Sequence, residues 1–134
     1  MNIKITGSGS YIPSRRIKNT DFDDHTFLNE DGSQIHHPND VVISKFRDIT
    51  GIQERRYLEH EFVTSDMAFF AAELAIKDAN IDPETIDYII LAHNFGDIRH
   101  NESHSDIMPS LATRVKNKLK IKNPKCVAYD ILFG

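Results

Sequence analysis

Two short runs constrain this chain more than anything else in it. Tyr88-Ile89-Ile90-Leu91 and Cys126 to Phe133 are rich in β-branched and aromatic residues, and both are apolar or nearly so on each alternating face. A strand of that kind needs neighbours in its sheet and helices above and below it. Helical patterns lie around both runs. Val41 to Ile49 places apolar residues at 42, 43, 46 and 49, with Gly51 at a plausible C-cap. Ser65 to Ala79 carries a stripe of small residues (Ala68, Ala71, Ala72, Ala75, Ala79), with Thr64 or Ser65 as candidate caps and Asp66 in the first turn. Such a stripe predicts a helix face that approaches another backbone closely. Pro109 to Leu119 predicts a third helix, with Pro at its start and Leu111, Val115 and Leu119 on one face.

Alternation of strand and helix predicts an α/β fold with a parallel sheet. Asn2 to Thr6 is expected as a further strand of that sheet, ended by the turn-prone Gly7-Ser8-Gly9-Ser10, and Ile52 to Leu58 as a strand at a sheet edge. Asp21 to Asp40 reads as an acidic, irregular excursion with a turn at Asp31-Gly32, and Asp82-Pro83 as another turn. The chain has 134 residues and shows no linker, so it is expected as one domain over residues 1–134, its sheet incomplete.

Composition narrows the classes. Apolar residues make up 40% and charged residues 27%, which fits a globular chain and excludes wholesale disorder. No apolar run approaches the ~20 residues of a membrane helix, and the N-terminus lacks a signal peptide's apolar stretch. Neither a membrane nor a nucleic acid is expected as partner, the latter because the net charge is −4. One cysteine permits no internal disulfide and points to a cytoplasmic location.

The sites visible in the sequence are mostly weak. Gly7-x-Gly9 after a strand suggests dinucleotide binding, but Ile12 stands where a third small residue is needed, and Pro13 with Arg15-Arg16 fits a turn. His93, Asp97, His100, Glu102, His104 and Asp106 form a polar cluster that reads chiefly as a solvated loop. His100 and His104 have metal-ligand spacing only if helical, so no metal is expected. The basic run Arg114, Lys116, Lys118, Lys120, Lys122, Lys125 reads as a solvated face near a helix C-terminus. The other reading of it is a noncatalytic α/β module that docks an acidic partner through Arg114 to Lys125. Cys126, inside an apolar strand with Lys125 facing the other way, reads as a small buried hydrophobe and not as a nucleophile.

Four segments in order carry a resemblance: Ile5-Thr6-Gly7-Ser8-Gly9-Ser10-Tyr11-Ile12-Pro13, Thr50-Gly51-Ile52-Gln53-Glu54-Arg55-Arg56, Thr64-Ser65-Asp66-Met67-Ala68 with the Ala-rich helix to Asp82-Pro83, and Ala128-Tyr129-Asp130-Ile131-Leu132-Phe133-Gly134. Together they resemble the N-terminal half of β-ketoacyl-[acyl-carrier-protein] synthase III, a condensing enzyme of fatty-acid synthesis. The resemblance implies a thiolase-like, layered αβαβα fold, usually a homodimer, and an acyltransferase that joins an acyl-CoA starter to malonyl-acyl-carrier protein. Acyl-carrier protein is then a partner, and acyl-CoA is a substrate, with no cofactor. In that register the nucleophilic cysteine directly follows Gly134, and the histidine and asparagine that stabilise the enolate lie further on, so residues 1–134 hold no catalytic residue and are expected to be inactive alone. Met108 matches a position that walls the partner's acyl pocket across the dimer and Asn94 one that lines the channel, and Phe133 is expected with them among the substrate-binding residues. The aromatic and the arginine that hold the CoA adenine fall on Lys45 and Ile49. The 21–40 excursion and the 93–108 loop are both longer than the family's, and Phe22 or Phe27 of the excursion is a candidate replacement ring.

Overall fold

A computed structural model describes residues 2–133, which group into two compact units. One comprises residues up to Ile12 and from His60 onward, and the other is Pro13–Glu59.

In the first unit the two apolar runs are neighbouring parallel strands. β3 (Tyr88–His93) pairs with β4 (Val127–Leu132), with Tyr88 opposite Val127 and His93 opposite Leu132. They are joined through α3 (Leu111–Lys118), the helix-containing crossover that parallel strands require. Leu111 and Val115, four apart on one face of α3, are fully buried. Pro109 does not open this helix. Ser110 is its N-cap, accepting from Thr113 N–H at 3.2 Å, and the Met108–Pro109 peptide just before it is cis. α2 (Thr64–Ala79) begins one residue earlier than the caps expected at Thr64 or Ser65. Its N-cap is Val63, whose N–H donates to the Asp66 carboxylate at 2.9 Å.

The small-residue stripe of α2 packs as the sequence predicts, and its partner is the Gly7–Gly9 segment. A Cβ placed on Gly7 would lie 2.5 Å from Ala79 N and 2.7 Å from Ala75 O, and one on Gly9 would run into Ala71 and Ala75 backbone. Glycine at 7 and 9 and alanine at 71, 75 and 79 are two halves of one close approach. The first expectation to fail is the strand at Asn2–Thr6. That segment joins no ladder, and Ile3 and Ile5 are 89% and 86% exposed. Its alternating pattern suits a strand, but a strand forms only where a neighbour accepts its hydrogen bonds, and β3–β4 is a two-stranded sheet among the described residues.

In the second unit, β1 (Arg15–Lys18) and β2 (Glu54–Tyr57) form an antiparallel ladder. β1 replaces the turn expected at Arg15-Arg16. Arg16 and Arg56 sit directly opposite each other, and Glu54 lies 3.7 Å and 3.9 Å from their Nε atoms, offsetting the repulsion. α1 (Asn39–Thr50) ends as expected on Gly51, which has φ 68° and donates to Arg47 O. The excursion is irregular, with a 3-10 turn at Asn19–Phe22 and a turn through Asp31 and Gly32 closed by Ser33.

Candidate functional site

In open α/β sheets ligands bind beyond the carboxyl ends of the strands. Here that edge is where β3 and β4 run out at His93 and Leu132. Asn94 and Phe133 leave the sheet side by side, because Phe133 N–H donates to His93 O at 3.2 Å. Both are exposed, Phe133 with φ 55°, a left-handed conformation that a bulky side chain disfavours. Met108, also exposed, lies just before α3, whose N-terminus faces the same edge because the crossover helix runs back against the strands.

Two carboxylates build this edge, Asp130 half-buried and Asp97 buried. Asp130 of β4 accepts from Leu111 N–H at 2.7 Å and Ala112 N–H at 2.8 Å, occupying the amides of the first turn of α3. His93 of β3 joins it, with Nε2 3.0 Å from the Asp130 carboxylate. Gly96 N–H donates to Nδ1 of the same ring at 3.0 Å, so the ring proton sits on Nε2 and the contact is a hydrogen bond from a neutral imidazole. Burial pushes the Asp130 carboxyl up, but donation from Ala112, His93 and Leu111 outweighs it and leaves the pKa below its ordinary value.

The second carboxylate, Asp97, is 4% exposed. It accepts from Ser65 N–H and Ser65 Oγ, both at 2.7 Å, at the start of α2, and from Arg114 Nη1 at 2.8 Å. Arg114 also donates to Asp106, Met108 and Pro109. The Asp106 hydrogen bond, with that of Asp97, raises the guanidinium's pKa against burial, and Arg114 in turn lowers the Asp106 carboxyl. The side chains aimed inward at this edge are therefore spent on holding helix ends and loop bases, and Asn94, Met108 and Phe133 stand exposed beside them.

The solvated-loop reading of the histidine and acid cluster holds for only part of it. His93 and Asp97 are buried, and Asp106 bridges Asp97. His100 and His104 do not converge: the His100 ring lies 3.5 Å from that of His60, and His104 pairs with Glu102 at 3.3 Å. Among the described residues no three histidine, cysteine or acidic side chains are grouped to hold a metal. The basic run is also less solvated than its sequence suggests. Besides Arg114, Lys118 pairs with Asp66 at 2.6 Å, and Lys116 Nζ donates to Asn123 O and Cys126 O. Lys116 is thus a cation near Cys126, directed at its carbonyl and not its thiol. Cys126 is buried, and it lies at the far end of β4 from the Phe133 edge, roughly 20 Å away at the rise of a strand.

Lys45 and Ile49 lie in the second unit, one turn apart on α1. They line a groove of ≈ 700 Å³ with Val41, Asp40, Ile35 and His37, and Ile49 is 74% exposed. The excursion does fold its aromatic rings back, but to another place. Phe22 and Phe27 line a separate pocket of ≈ 250 Å³ with Ile43, Arg55 and Tyr57, and only Phe46 borders both. There the Arg55 guanidinium lies 5.8 Å from the Phe22 ring centre.

No family model matches the chain. Among known proteins, it is 36% identical over 131 residues to β-ketoacyl-[acyl-carrier-protein] synthase III 1 of Vibrio cholerae, an alignment covering 98% of this chain and 34% of that protein. Its fold matches the crystal structure of 3-oxoacyl-[acyl-carrier-protein] synthase III from Aquifex aeolicus with a TM-score of 0.68 and 31% identity, over 98% of this chain and 35% of that one. Xanthomonas campestris OleA shares the fold at a TM-score of 0.71 with 20% identity, over 98% of this chain and 34% of its own. The chain is thus thiolase-like α/β in class. More particularly, it is similar along nearly its whole length to β-ketoacyl-[acyl-carrier-protein] synthase III, and it spans about a third of the length of those enzymes.

Proposed function

We propose that these residues are part of a condensing enzyme of the β-ketoacyl-[acyl-carrier-protein] synthase III kind, an acyltransferase that joins an acyl-CoA starter to malonyl-acyl-carrier protein. The observation that carries the reading is the 36% identity sustained over 98% of the chain. The parent is a cytoplasmic homodimer with acyl-carrier protein as its partner, and both units here belong to one thiolase-like domain. No helix among the described residues is long and apolar enough to cross a membrane.

The nucleophilic cysteine follows Gly134, which itself lies outside the described residues. Its thiolate attacks the thioester carbonyl of acyl-CoA, a new thioester forms on the cysteine, and CoA leaves as the thiolate. What this chain contributes is the edge on which that reaction sits. Asp130, hydrogen-bonded to His93, ties the end of β4 to the start of α3 and to the neighbouring strand β3. Phe133 and Asn94 line the approach, and Met108 walls the acyl pocket of the partner copy. Lys45 and Ile49 stand where the adenine of CoA would lie, and an ammonium and an aliphatic chain make no two-sided stack. Adenine contacts therefore contribute little, and removing the nucleotide part of the substrate should raise KM far less than a hundredfold.

The acidic-partner reading of Arg114 to Lys125 has less behind it, because Arg114, Lys116 and Lys118 are held by acceptors of the chain itself. The test of the main reading is product formation. The full-length parent should make β-ketoacyl-carrier protein from acyl-CoA and malonyl-carrier protein, and residues 1–134 alone should make none. A parent without that activity overturns the proposal.

A further inference from the structure

Met108 joins an exposed side chain to a backbone held in place by one neighbouring guanidinium and one carboxylate. Its side chain is 79% exposed, yet its peptide groups are fixed from both sides. Its N–H donates to Asp106 Oδ1 at 3.3 Å, and its carbonyl accepts from Arg114 Nη2 at 3.0 Å. The same guanidinium reaches Asp106 Oδ1 at 2.7 Å, Asp97 Oδ2 at 2.8 Å and, through Nε, Pro109 O at 3.0 Å. Asp97 and Asp106 also exchange backbone hydrogen bonds of 3.0 and 2.9 Å, closing the neck of the 98–105 loop. One side chain on α3 therefore holds the neck, the carbonyl of Met108 and the carbonyl of Pro109 at once. It does so with a planar fork of donors that lysine does not have. Besides closing the loop neck, these contacts fix the backbone on both sides of an exposed apolar side chain, which sets the pose in which that side chain would enter a pocket.

We propose that Arg114 is a positioning residue for acyl-chain selection, setting how far Met108 projects into the acyl pocket of the partner copy. This rests on the reading of Met108 given under Proposed function. Arg114 touches no reacting atom. It acts through Met108, so its loss should change which acyl chains are accepted and not merely how fast all of them react.

The experiment compares kcat/KM for octanoyl-CoA and acetyl-CoA on the full-length parent. Met108→Ala should raise the octanoyl to acetyl ratio about tenfold, the scale of a one-methylene misfit in an apolar pocket. Arg114→Lys should move the ratio the same way by about threefold or more, without rescue by the retained charge. Asp106→Asn keeps the Arg114–Asp97 pair and weakens only the anchor beneath Met108. It covers the case in which Arg114→Lys fails to fold, and it should shift the ratio in the same direction. If Met108→Ala moves the ratio while Arg114→Lys and Asp106→Asn slow both substrates equally, Arg114 is merely structural and the inference is wrong. If Met108→Ala leaves the ratio unchanged, the reading of Met108 falls, and the role of Arg114 falls with it.

Discussion

The two faces of the β3–β4 pair arise from the same two-residue alternation, yet they could hardly differ more.

 Successive residues of a strand point to opposite sides, so one set faces α3 and the other faces away. The covered set holds Ile89, Leu91 and His93 of β3 with Ala128 and Asp130 of β4, and it is where the polar network sits. The other set pairs Tyr88 with Val127, Ile90 with Tyr129 and Ala92 with Ile131. It is apolar throughout, and Tyr88 and Ile90 are 64% and 53% exposed. A patch of that kind marks a surface made to be covered. Specificity lies in the polar set. Hydrophobicity brought both faces into a sheet, but only the face carrying Asp130 fixes where a helix begins.

The largest effect should come from removing Asp130. Asp130→Ala leaves the Leu111 and Ala112 amides and the His93 ring without their acceptor, and should lower unfolding free energy by about 3 kcal/mol in urea titrations. A loss below about 1 kcal/mol would mean that water replaces the carboxylate and that the two faces are less different than the hydrogen bonds imply. Gly9→Ala comes next. Its Cβ must push the 7–9 segment off α2, at roughly 1–3 kcal/mol, while Gly32→Ala, with open space around it, should show only the milder strain of a positive φ.

Acid sharpens the contrast further. The Asp130 carboxyl has a folded pKa below its unfolded value, so its stabilisation is present above the unfolded value of ~3.9 and is lost as pH falls through the lower folded value. Stability of the wild type should therefore drop more steeply below about pH 4 than that of Asp130→Asn, which has no proton to take up there. Parallel curves would remove Asp130 from the acid response. The smallest change in stability should come from the bare face. Ile90→Lys with Tyr129→Lys should cost under about 1 kcal/mol, yet it should shift residues 1–134 from self-association towards monomer in sedimentation velocity. A wild-type chain that is already monodisperse at high concentration would contradict the reading of that face.

Much of this was legible in the residues. Tyr88 to Leu91 and the 127–132 segment could be recognised as strands from local composition, and α1 from its spacing and Gly51. The alanine stripe announced a close contact without naming its partner. What stayed hidden depended on pairing over distance. Arg15–Lys18 is a strand only because Glu54–Tyr57 lies beside it, and Asn2–Thr6 is none because nothing does. His93 meets Asp130 across 37 positions and Ser65 meets Asp97 across 32, so the loop cluster and the basic run looked solvated when Asp97 and Arg114 were each other's partners. The one available signal was the concentration of acids and histidines in a segment facing a carboxylate-free stretch that begins at Ile107.

We propose that acyl transfer belongs to a residue following Gly134, on the edge these strands and helix ends build, and not to the buried Cys126. Peptide mass mapping after exposure to acyl-CoA tests it most directly. The full-length parent should carry one acyl group, on a cysteine directly after Gly134, and residues 1–134 should carry none. An acyl group on Cys126, or a parent that takes up no acyl group at all, would contradict it.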